Sequence, residues 1–276
     1  MGGAAWMIYR VSVDMHYNWN WPAIFNYILR YDPDTGSYVQ GLLLRGLIIT
    51  IKISIWSALL ASLLGLVMGI TKTSDKYFVK MPAVSYVSLV RNIPSLVFIF
   101  IFYYFFSSQI ITFFNLDYYI SGVSGNSEFF IRLLFCPPEQ VTVFLSAILT
   151  LAIYEGAYMT EIVRGGIESI EKGQWEASDA LGLSKLQRMR YIILPQTFKR
   201  ILPPMAGQLI SVVKDSAIVS VISVQDLTFM GMELMASTYR IFEIWITITA
   251  MYFVLTFACS YAVGKLELYM ERRGYV

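Results

Sequence analysis

Lys214, Asp215 and Ser216 stand in the middle of an otherwise apolar run, about Leu202–Val224. A charge there costs about 2.5–3.5 kcal/mol on insertion scales, so such residues seldom sit idle. Recognising a zwitterion needs an anion for its ammonium and a cation or helix N-terminus for its carboxylate. Asp215 and Lys214 supply those charges, and Ser216 adds a hydroxyl. Gln208, seven residues before Asp215, shares its helical face. An equally simple reading is an internal ion-pair network, with Lys214 neutralised by Glu155 or Glu161 from another apolar run.

These residues need membrane helices to position them. The chain has 276 residues, 57% of them hydrophobic and only 14% charged, against about 25% charged in soluble domains. Apolar runs of about 18 residues or more predict a multi-span helical membrane protein. Five spans are expected: 42–70, 94–114, 141–163, 202–224 and 244–264. Arg45 and Lys52 fall in the first half of span one. Snorkelling accounts for Arg45 easily and for Lys52 less easily. The apolar stretch 81–114 is broken at Arg91-Asn92-Ile93-Pro94, since proline removes a donor and disfavours helix before it. Arg91 is there either an interfacial anchor or a charge on a solute path. Residues 1–41 form an aromatic, interfacial lead with a turn at 32–36, and carry no signal-peptide pattern.

Charge then sets orientation. The segments 71–81, 164–202 and 265–276 hold thirteen Lys and Arg; the opposite side holds four. The N-terminus is expected outside and the C-terminus in the cytoplasm. The polar stretch 168–204 is therefore cytoplasmic. It reads as a helix over 171–181, a cap at Gly182, and a second, basic helix over 184–191 opened by a Ser184/Gln187 capping box. Such a pair fits a groove on a soluble partner, or lies on the membrane surface as an amphipathic hairpin.

Other chemistries find little support. No P-loop sequence occurs, nor HExxH, nor GxSxG. Cys136 and Cys259 form no metal spacing, and His16 is the single histidine. An intramembrane enzyme built on Glu155, Glu161 and Asp215 has no motif behind it. A net charge of +2 gives no sign of nucleic-acid binding.

Glu176, Ala177, Ser178, Gly182, Ile193, Leu194 and Pro195 resemble the EAA loop of permease subunits in ABC importers. The third position is Ser rather than Ala, and Ile193 stands one place from the usual isoleucine. The polar amino-acid branch (the His/Glu/Gln/Arg type) is the more detailed match. It is carried by Ala157-Tyr158, Glu161 to Gly166, Lys172 to Ala177, Leu194-Pro195-Gln196, Gly46 to Thr50, Arg91 to Pro94 and Lys214 to Ile218. The resemblance covers about 40–272. It implies an all-α membrane protein of about five transmembrane helices, the type I ABC importer permease (MetI-like) fold, in a bacterial inner membrane. The transmembrane permease domain would be 42–272, following the N-terminal segment 1–41. It further implies pairing with a second permease, a cytoplasmic ATPase dimer that binds ATP and Mg, and an extracytoplasmic amino-acid-binding protein. No cofactor is expected in this chain. Coupling to the ATPase would fall to Glu176, Ala177, Ser178, Gly182, Leu194 and Pro195. Solute contacts would fall to Lys214, Asp215, Ser216, Gln208, Thr50, Arg91 and Glu155, although for Glu155 a role as counter-charge to Lys214 is preferred. The rival reading is a membrane-embedded sensor or assembly protein that recruits a cytoplasmic partner through the same loop.

Overall fold

The computed structural model of the chain describes residues 17–34, 36–115 and 125–272. Most of the lead's first half and part of the 115–140 loop therefore lie outside the described residues. A short helix α1 (Pro22–Ile28) and a hairpin of β1 (Leu29–Asp32) and β2 (Ser37–Gln40) precede α2 (Leu42–Lys72). Then come α3 (Tyr77–Asn92), α4 (Ser95–Ile101), a π-helical segment (Phe102–Ser107), α5 (Ser108–Phe113) and α6 (Asn126–Leu134). A 3-10 turn (Pro138–Gln140) leads into α7 (Val141–Glu168), followed by α8 (Lys172–Ala180) and α9 (Lys185–Arg188). A π turn (Met189–Ile193) joins α9 to α10 (Leu194–Asp215), which ends in a 3-10 turn (Ser216–Ile222); α11 (Leu227–Thr238) and α12 (Ile241–Arg272) close the chain.

Among the described residues, four helical stretches are long and apolar enough to cross a membrane: Leu42–Lys72, Pro138–Glu168, Lys185–Ile222 and Ile241–Met270. A further apolar pair, α3 and the segment Ser95–Ser107, is bent by 116° at its break and makes a fifth crossing only if the two halves form one span. The break is at Ile93, whose backbone is extended (φ −97°, ψ 135°), immediately before Pro94.

α7 is the central helix and α12 the most peripheral: 67% of the apolar window is buried in the first and 17% in the second. α2 packs along α7 by turning its small residues inward. Gly46, Thr50, Ser54, Ser57, Ala61, Gly65 and Gly69 are buried, whereas Ile55, Leu59, Leu63 and Val67 face outward. This inversion is the membrane rule, since lipid is as apolar as leucine and close backbone approach decides packing. The hydroxyls on these faces turn back onto their own helices: Ser54 donates to Thr50 O, Thr150 to Ser146 O and Thr160 to Gly156 O, each at 2.7 Å. Internal donation of this kind is what a water-free surrounding demands.

The lead is tied to the start of α12. Buried Glu243 accepts from the Asn20 amide (2.8 Å) and from the Tyr17 hydroxyl, and Arg240 donates to Asn20 O at 3.1 Å.

In the loop 168–204 the expected Gly182 cap is present, with φ +70°, and Ser184 and Gln187 form the reciprocal capping box. One expectation is corrected. The second loop helix does not end near Tyr191; it runs unbroken into span four as one 38-residue rod, Lys185–Ile222. Proline would ordinarily stop it. Pro195 instead follows a π turn, where the ladder is already rearranged, and Ile193 and Ile201 are held by packing against Val163 and Ile167 of α7.

The elbow between the 3-10 turn and α11 is a buried polar knot. Ser223 is left-handed (φ +62°), and the fully buried Asp226 caps α11 by accepting from Phe229 N at 2.8 Å. Burial pushes its carboxyl up to about 6. A raised carboxylate pKa favours the protonated folded state, so stability is greatest below the unfolded value near 4. It falls between pH 4 and 6 and is lower by roughly 3 kcal/mol above that. Asp226→Asn keeps an acceptor and removes the charge. It should raise the melting temperature at pH 8 and leave it nearly unchanged at pH 4; equal gains at both pH values would contradict this account.

Candidate functional site

Inside the bundle, α7 and α10 bring three of the expected residues together. Glu155 of α7 is fully buried, and Gln208 of α10 donates to its Oε2 at 2.6 Å. The Asp215 carboxyl lies within hydrogen-bonding reach of the same side chain. The other Glu155 oxygen, Oε1, has no donor among the described residues. Two carboxyl groups bond directly only when they share a proton, and a buried acceptor without a donor is costly. A proton shared with Asp215, or a donor from outside the chain, satisfies this oxygen.

The cluster continues toward the break between α3 and α4. Tyr154 and Tyr158, one turn apart on α7, have hydroxyls 3.1 Å apart, and the Arg91 guanidinium lies 5.2 Å from the Tyr158 ring centre. Arg91 thus stacks on the aromatic wall of the site, at the distance where cation–π attraction operates. The two tyrosines were not among the expected residues. The (i, i+4) spacing beside Glu155 is a signal that could have found them.

Three expected residues are placed differently. The Thr50 hydroxyl is fully buried away from this cluster, accepting from Leu227 N at 3.1 Å and pinning α11 to α2. Ser216 donates to Val213 O at 2.8 Å within its own helix. Lys214 is exposed on the protein surface and forms no ion pair among the described residues. The expected pairing of Glu155 with Lys214 is therefore corrected. Glu155 turns to Gln208 and Asp215, while Glu161 holds Lys72 and Arg164 across the ends of α2 and α7. Neighbouring positions 214 and 215 diverge by about 100° around the helix, so only one can face α7.

At the other end of α7, α8 forms a small platform. Ser178 is buried and donates to Trp175 O at 2.6 Å, so its small size serves the base of the helix. Arg188 pairs with Asp179 and lies 5.1 Å over the Trp175 ring, and Gln196 donates to Gln174 at 3.1 Å. Lys185 reaches Asp75 in the loop after α2, at 2.6 Å, and that bond with its charge holds the Asp75 carboxyl below its usual range. Glu176, Ala177 and Leu181 stand exposed on the outer face, with Leu186 of α9 beside them. Gly182 lies at the turn, while Leu194 and Pro195 open α10 within the rod behind it. The arrangement is a rigid, partly apolar knob joined covalently to the helix that carries Gln208 and Asp215.

Residues 61–270 match the family described as binding-protein-dependent transport system inner membrane component. The glutamine transport system permease protein of Escherichia coli (strain K12) is 29% identical over 259 residues, covering 93% of this chain and 99% of that protein. The octopine transport system permease protein of Rhizobium radiobacter is 29% identical over 234 residues, covering 84% of this chain and 88% of that protein. Among solved structures, an amino acid ABC transporter with histidines superposes with a TM-score of 0.68 at 30% identity, over 91% of this chain and 99% of that one. The inward-facing methionine transporter MetNI, at 18% identity and a TM-score of 0.63, shares the fold.

Proposed function

We propose, since this chain belongs to the family of binding-protein-dependent transport system inner membrane components, that it is the permease of an importer for a polar amino acid. The observation that carries the solute reading is Glu155 Oε1, a buried acceptor without a donor among the described residues, beside Asp215 and Gln208. The solute's ammonium binds between the two carboxyl groups, and Arg91 on the Tyr158 ring attracts its carboxylate. The names of the relatives, glutamine and octopine permeases, support an amino-acid-like solute.

The chain carries no energy source in this reading. A cytoplasmic ATPase dimer, which binds ATP and Mg, docks on the face of Glu176, Ala177 and Leu181. Movement of that face reaches the solute site through the single rod Lys185–Ile222. An extracytoplasmic binding protein delivers the solute, and a second permease completes the path across a bacterial inner membrane. The N-terminus lies outside, in keeping with the excess of Lys and Arg on the α8 side.

Asp215→Asn should lower uptake about tenfold or more in vesicles that hold the chain, its ATPase and its binding protein, because a charged hydrogen bond to the solute is lost. Co-purification of the ATPase should be unchanged. Normal uptake kinetics would remove Asp215 from the site. ATPase binding without any uptake by the unmodified assembly would favour a recruiting protein over a permease.

A further inference from the structure

At the opposite end of the bundle from α8 lies a cavity of about 470 Å³, a size suited to a small ligand. Its wall carries Arg45 and Lys52 of α2 and Arg132 of α6, with Gln140, Gln225 and the exposed Glu233. Three cations thus face one carboxylate in the lining. Glu128 already takes Arg132 at 2.8 Å, and Gln140 donates to Gln225 at 2.7 Å. Arg45 and Lys52 have no ion pair among the described residues. They are seven residues apart and so share one helix face.

Lys52 decides what the cavity takes. It lies ten residues into α2, roughly 15 Å along the axis from the helix start. Its ammonium donates to a backbone carbonyl, Arg132 O, at 2.8 Å. That leaves two further N–H groups and an uncompensated charge facing the cavity. The side chain is tied to α6 instead of extending freely into solvent, and a cavity of this volume suits a small anion.

We propose that this cavity is an outer carboxylate-binding station for the solute, distinct from the Glu155–Asp215 site. It rests on the reading of the chain as an amino-acid permease. The solute would first bind by its carboxylate to Lys52 and Arg45, then by its ammonium to the carboxyl pair further in. The outer station grips the carboxylate alone, whereas the inner site takes the ammonium with Arg91 beside it for the carboxylate.

The test uses the complete importer in nanodiscs of phosphatidylcholine, with Glu155→Gln and Asp215→Asn removing the inner site. Millimolar L-glutamine should bind saturably, and L-glutaminamide, which lacks the carboxylate, should not. Lys52→Gln should weaken glutamine binding about tenfold, Arg45→Gln should weaken it too, and Lys52→Arg should retain it. Binding that is absent, or indifferent to Lys52→Gln, overturns the station. So does its displacement by phosphatidylglycerol bound at one copy per cavity, which would make the cavity a lipid-phosphate site. Binding-protein-stimulated ATP hydrolysis by the unmodified importer is measured in the same discs. If hydrolysis persists where the station fails, the permease reading stands; if both are lost, that reading fails as well.

Discussion

Glu176→Lys should uncouple the chain from its ATPase and abolish uptake while leaving the membrane bundle intact. Glu176 is exposed on α8 and takes no part in the contacts that hold the helix. Those contacts belong to Trp175, Ser178, Asp179 and Gln174, which face Arg188 and Gln196 or their own helix. Reversing its charge therefore leaves the platform folded and alters only the face it presents. If that face sits in a cleft of the ATPase, loss of a central contact costs about 2 kcal/mol or more, roughly a thirtyfold loss of association. The measurements are co-purification of the ATPase and uptake in vesicles, with thermal unfolding as the check on folding. Normal association and normal uptake together would sink the docking role of α8.

Gly46→Val should prevent the bundle from closing. A Cβ at Gly46 would lie 2.8 Å from both the Asp226 carbonyl oxygen and Leu227 Cα. Both are backbone atoms at the elbow, and neither can swing aside as the tip of a side chain would. One turn further on, Thr50 accepts from Leu227 N, so the same two segments are also joined by a hydrogen bond. Forcing them apart breaks that bond and the approach of α11 together. A loss of about 3 kcal/mol or more is expected, at the upper end of overpacking. Gly207→Ala is the contrast, since a Cβ there meets nothing within 4 Å and alanine favours helix by about 1 kcal/mol. Thermal unfolding in detergent should separate the two variants widely; equal melting temperatures would show that the elbow yields.

Both predictions depend on positions whose role is only partly visible along the chain. The spans, the break before Pro94, the turn of the β1–β2 hairpin and the Ser184 capping box were legible because each depends on residues close in sequence. Apolar length, a missing proline donor, or a Ser/Gln pair three residues apart fixes them locally. The platform around Glu176 was legible for the same reason. The continuity of Lys185–Ile222 was not: a proline's local penalty argues for a break, and distant packing by Ile193 and Ile201 overrides it.

The Glu155 cluster divides along the same line. The sequence alone determined that Glu155, Gln208 and Asp215 are polar groups in apolar helices, and hence that each needs a partner. It also set the EAA-like loop and the four long apolar spans. Tertiary structure alone decided the partners. Glu155 and Gln208 are 53 residues apart, and it is the packing of α10 on α7 that joins them. The same packing turns Asp215 toward Glu155, leaves Lys214 at the surface, and commits Thr50 to the α11 elbow. A helix repeats every 3.6 residues, so one sequence pattern permits several facing choices. The choice made between α7 and α10 needs the close approach at Gly166, where a Cβ would run into the Ile201 and Thr197 side chains.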